Sequence, residues 1–166
     1  MMKRIAAFAV GLLLLTTSQM PAAGEDLASQ LVGVWKFVGV SNKEAATGSV
    51  THPFGEKPIG YLVYTKGGRL IFSVVGNDRA RPAGAVATDA ERLRLYDTLA
   101  AGTGTFKTDG DTLMTTYDSS WLQTWTGTTQ KRKAVIAGNK LTITSDPYKN
   151  LEGKEITFEA VYERVE

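Results

Sequence analysis

The chain has 166 residues, with 19 basic and 17 acidic side chains, one histidine and no cysteine. The absence of cysteine excludes a disulfide framework and thiolate chemistry, and the near-balance of charge provides no basic face of the kind that nucleic acid requires.

Residues 1–24 read as a secretory signal peptide. Lys3 and Arg4 make a basic start, "IAAFAVGLLLL" (residues 5–15) is an apolar run, and a polar stretch leads to "MPAAGED". The run is shorter than the ~20 apolar residues a membrane span needs; a retained N-terminal anchor is the alternative. Ala22 and Gly24 suit cleavage before Glu25, with Ala23 as a second choice, and no cysteine follows to carry a lipid. Cleavage removes Lys3 and Arg4, so 17 basic residues face 17 acidic ones over residues 25–166. One exported domain is expected, periplasmic or secreted, with no stable membrane insertion after cleavage.

Strand signals then follow in series. "VGVWKFVGV" (residues 32–40) is rich in β-branched and aromatic residues. "YLVYT" and "RLIFSVV" flank Lys66-Gly67-Gly68, a hairpin turn. "GTGTFKT" and "DTLMTTYD" flank Asp109-Gly110, "TTQKRKAVIA" and "KLTITS" flank Gly138-Asn139, and "KEITFEAVYERV" closes the chain. About eight strands joined by short turns predict an all-β, up-and-down antiparallel meander. One segment differs. Residues 87–102 carry Thr88 or Asp89 as N-cap, Glu91 at capping-box spacing, and Leu93, Tyr96 and Ala100 on one face, with Gly102 as the stop. This predicts a helix of about three turns between strands three and four.

Alternation assigns the faces. In the last strand Ile156, Phe158, Ala160, Tyr162 and Arg164 point inward; in the first, Trp35, Phe37 and Gly39 do so. In the sixth, Lys131 and Lys133 cannot both enter a small core, so Gln130, Arg132, Ala134 and Ile136 face inward. Two polar side chains on an inward face are unusual.

"LVGVWKFVGV", "PFGEKPIGYLVYTKGGRL", "ATDAE", "GTF" before "DGDTL", "WTGTTQKR" and "GNKLTIT" occur in order over nearly the whole mature chain. In these motifs the sequence resembles the bacterial and fungal lipocalin-like domain family. The resemblance implies a calycin-type β-barrel open at one end, without a settled activity. Gly33-Val34-Trp35 is similar to the Gly-x-Trp pattern that opens lipocalin barrels, where the Trp plugs the closed end. Arg164 matches the arginine that covers it. Both residues are therefore given a structural role. Similar proteins often carry a histidine before the Trp motif; here that region reads "MTTYDSS", so no role for it carries over.

His52, the lone histidine, lies in a Pro-Phe-Gly loop without a nucleophile beside it, and a single His without Cys makes no usual metal ligand set. No phosphate loop, EF-hand or Gly-x-Ser-x-Gly elbow is present. Residues 117–132 concentrate Tyr117, Trp121, Trp125, Gln130 and Arg132. Aromatic side chains with few polar groups suit a pocket that orients a small, largely apolar molecule. The expected lining is Tyr64, Phe72, Phe106, Tyr117 and Trp125, with Arg132 and Gln130 holding a polar head. Trp121 is a weaker member; alternatively both tryptophans cap the rim and Arg132 pairs with an internal carboxylate or backbone. No cofactor or metal is implied. Two further readings remain: a barrel-type cyclase or isomerase using Arg132, Tyr117 and His52, and a filled barrel acting as a protein-interaction module.

Overall fold

The computed structural model describes residues 26–150 and 152–166. The segment read as a signal peptide, with its cleavage positions, lies outside the described residues. Ten strands form one sheet. In the first half these are β1 (Gly33–Glu44), β2 (Val50–Thr51), β3 (Ile59–Tyr64), β4 (Arg69–Val75) and β5 (Leu99–Asp109). The second half supplies β6 (Thr112–Ser120), β7 (Thr129–Ala137), β8 (Lys140–Thr144), β9 (Tyr148–Lys149) and β10 (Glu155–Arg164). All pairings are antiparallel, and neighbours run β1-β3-β4-β5-β6-β7-β8-β10. β10 pairs back onto β1 from Trp35↔Arg164 to Glu44↔Ile156, which closes an eight-stranded barrel. Closure leaves no long edge strand unpaired. The two-residue strands β2 and β9 extend β1 and β10 at one end only, the mouth.

The expected eight strands are all present, and the hairpin glycines Gly68, Gly110 and Gly138 adopt positive φ. Inward alternation holds along β10 and β7. In β1 it slips: a bulge between Phe37 and Gly39 moves the next inward position from Gly39 to Val40, which is buried.

The helix expected over residues 87–102 is shorter. α2 spans Asp89–Asp97, capped by Thr88 in a complete capping box with Glu91. From Leu99 the chain is strand, so Ala100 packs inside the barrel on β5 and Gly102 stops nothing. Leu93 and Tyr96 are exposed, and α2 buries no side chain. Its caps and charged turns hold it, while strand pairing with β4 claims the apolar residues after it. Thr88→Ala is therefore expected to cost about 1 kcal/mol of local helix stability. Amide exchange should speed up over residues 89–97 while the global unfolding midpoint stays put.

A second, shorter helix escaped sequence reading. α1 (Leu27–Leu31), capped by the Asp26 carboxylate on the Ser29 amide, crosses the closed end. There Trp35 is fully buried and its Nε1 donates to the Leu31 carbonyl at 2.7 Å. The Arg164 guanidinium stacks 4.1 Å from the Trp35 ring and donates to the Val32 carbonyl at 2.9 Å and to the Gln30 carbonyl. Gly33 is required here: its φ is 139°, and a Cβ would stand 2.3 Å from the Glu166 carbonyl oxygen. The side chains that tie α1 to the barrel are thus supplied by both termini of the described domain.

Candidate ligand-binding site

The other end of the barrel is closed by aromatic rings. Phe72 on β4 meets Tyr117 on β6 at 6.1 Å and Trp121 edge-on at 6.2 Å. Trp125 lies 5.3 Å from Tyr117 and 5.0 Å from Trp121, completing the circuit. Local backbone geometry sets these rings. Residues after β6 fold into a 3₁₀ turn, Gln123–Trp125, and Gly127 returns its amide to the Tyr117 carbonyl at 2.8 Å. The α2 residue Tyr96 donates its hydroxyl to the Trp121 carbonyl at 2.9 Å, which ties the helix to the mouth.

A β-bulge places Tyr117. Gly104 pairs with Tyr117 and Thr103 with Ser119, leaving Asp118 as the extra residue. A Cβ on Gly104 would stand 2.2 Å from the Thr116 carbonyl oxygen, so the close approach requires glycine. Outside the barrel Asp118 accepts from Thr103 and from Arg69, which hold its carboxyl below the usual range.

Beneath the rings is a cavity of about 100 Å³, lined among others by Phe37, Leu62, Tyr64, Leu113, Thr115, Phe158 and Tyr162. Its volume is well below the ~300 Å³ of a drug-sized pocket. Most of the interior is therefore filled by side chains, as eight strands allow. Arg132 projects from β7 into this lining, with its guanidinium 5.3 Å from the Phe158 ring centre. No carboxylate lies within ion-pair distance of it among the described residues. Among the described residues its one hydrogen bond is long, 3.5 Å from Nη1 to the neighbouring Lys131 carbonyl. Of the expected alternative, an internal carboxylate or backbone partner for Arg132, the described residues contain the backbone contact and not the carboxylate.

Besides Arg132 and the buried Thr115, the polar groups of the cavity are phenols. Burial raises Tyr64 well above the usual phenol range, with further upward contributions from Tyr162 and Tyr117. Burial also raises Tyr162. Tyr117 is raised by burial and drawn partly back by Arg132. All three therefore stay protonated at neutral pH and offer O–H donors.

A groove of about 580 Å³ and mixed character lies against the cavity, lined by Gln130, Lys131, Asp146, Tyr148 and Lys149, among others. Arg132 and Trp125 line both spaces and form the partition between them.

The profile of the lipocalin-like domain family matches residues 32–165. The chain belongs to that family. No curated protein matches the chain.

Of the residues expected to line the lipocalin-like interior, the structure brings together Tyr64, Phe72, Tyr117, Trp125 and Arg132, and Trp121 joins them. Two do not. Phe106 packs edge-on against Tyr64 at 4.7 Å and faces the closed end, because it sits near the β5–β6 hairpin. Gln130 is only the second residue of β7, so its side chain stands at the rim and opens on the groove. His52 is exposed after β2, its Nδ1 3.3 Å from the Val40 carbonyl, and lines no part of the cavity. Tyr162, Thr115 and Phe158 belong to the lining but were not expected there; for Tyr162 and Phe158 the inward alternation of β10 carried the signal. Among the described residues no cluster of three His, Asp or Glu side chains could hold a metal, and no helix is long and apolar enough to cross a membrane.

Proposed function

We propose that the domain is an exported binding protein that holds a small, largely apolar molecule in the barrel interior. The observation that carries this reading is an arginine without a counter-ion among the described residues, set at an aromatic and aliphatic cavity beneath a mouth of four rings. Phe72, Tyr117, Trp121 and Trp125 provide apolar contact, and Arg132 holds the polar end. The basic start and apolar run of residues 1–24 support export. The chemistry of the lining supports binding more than catalysis: among the described residues it holds no carboxylate and no imidazole, so a cyclase or isomerase would depend on Arg132, Thr115 and phenols.

The small cavity favours one other reading, a filled barrel that presents its outer surface to a protein. Titration of labelled protein with single-ring acids, alcohols and hydrocarbons separates the two. The binding reading expects saturable amide and indole shifts at Tyr117, Trp121, Trp125 and Arg132. A spectrum unmoved by the whole panel would favour the filled barrel.

A further inference from the structure

We infer that the ligand of this cavity is a carboxylate on a single-ring or short-chain apolar body, its anionic group seated between Arg132 and the phenols of Tyr64, Tyr117 and Tyr162. This deepens the binding reading and rests on it.

Donors dominate the lining. Arg132 brings guanidinium N–H groups, the three tyrosines bring O–H groups, and no acidic side chain lines the cavity to accept from them. Tyr64 and Tyr162 are buried residues whose phenols make no hydrogen bond among the described residues, yet neither oxygen is among the fully buried unpartnered polar atoms, so both reach the open space of the cavity they line. A partly buried cation beside free phenol donors that open on the same cavity is a matched set for one ligand oxyanion, which would accept from both. The guanidinium is suited to it: it lies over the Phe158 ring and spends only one long hydrogen bond, from Nη1 to the Lys131 carbonyl, so most of its donors remain for the two oxygens of a carboxylate.

Size sets the remainder of the molecule. An apolar cavity of roughly 150 Å³ admits a benzene ring, and this one is about 100 Å³. A single ring therefore requires only a small shift of Trp121 or Trp125, whereas a long chain has no room. Because Arg132 and Trp125 also wall the outer groove, the carboxylate sits where the cavity meets it.

Calorimetric titration with benzoate and with benzamide, its neutral near-isostere, tests the inference on the mature protein. Benzoate is expected to bind at least tenfold more tightly. In Arg132→Met the preference should vanish while benzamide binding changes less than threefold; Arg132→Lys, which keeps charge but not the fork, should fall between. Tyr162→Phe, which keeps the ring, should weaken benzoate several-fold and benzamide, whose one carbonyl oxygen accepts more weakly than a carboxylate, by a smaller factor. Should Arg132→Met fail to fold, this last variant decides alone. Equal binding of the two compounds would overturn the anion inference and leave the pocket standing. No binding of either would overturn the pocket reading and this inference with it.

Discussion

Trp35→Ala is expected to cost about 3–5 kcal/mol, the range for deleting a fully buried large aromatic. The ring has no exposed surface, and its Nε1 bond to Leu31 is the point at which α1 is fastened across the barrel end. The truncation therefore leaves a cavity and frees the helix together. Arg164→Ala should cost about 2–4 kcal/mol, from the lost stack and two carbonyls left without their donor. Arg164→Lys should fall between wild type and alanine, since an ammonium keeps the charge but cannot stack and reach both carbonyls in one plane. Urea unfolding of the three variants measures this directly. A change under about 1 kcal/mol for Trp35→Ala would show that the closed end does not depend on the plug.

Alkaline conditions should destabilise the barrel through its interior tyrosines. Tyr64 and Tyr162 are held neutral by burial, so their folded values lie above those of the unfolded chain. Above the ordinary phenol value of about 10, the unfolded chain releases protons that the folded one keeps. Their contribution is therefore full below about pH 10 and declines as pH rises, by about 1.4 kcal/mol per pH unit for each phenol. Lys133 and Lys154 shift in the same direction through hydrogen bonds to Asp111 and Glu152, but both pairs are exposed and screened. Tyr117 is raised by burial as well, so unfolding series between about pH 9 and about pH 11.5 should show the decline with the slope reduced by up to about a third in Tyr64→Phe or Tyr162→Phe. An unchanged slope in both variants would mean that other groups govern the alkaline limb.

The barrel was legible because its signals are local and repetitive. Glycine turns between alternating strands give the order of strands, and alternation places Arg132 and Tyr162 inside before any contact is known. What escaped depends on pairing across the sheet. Nothing near Gly39 announces the bulge, which exists only in register with Tyr162 and Val161 on β10. Leu99–Gly102 satisfy a helical pattern equally well, but pairing with β4 draws them into strand. The short helix α1 is specified by Trp35 and Arg164, residues that lie outside it. Height along the barrel axis was also hidden: Phe106 and Gln130 share the inward face with the cavity residues, yet one lies below the cavity and the other above it.

The same distinction separates what the mouth does from what the plug does. Trp35 and Arg164 complete their interactions within the protein. Arg132, set at the partition between cavity and groove, does not, and the binding reading stands on that difference. Native mass spectrometry of the purified, folded protein tests it most directly. The account predicts a small acid that co-purifies with the folded barrel, leaves on denaturation and is lost from a folded Arg132→Met variant. A clean ligand-free mass that persists through saturating additions of single-ring acids would contradict it.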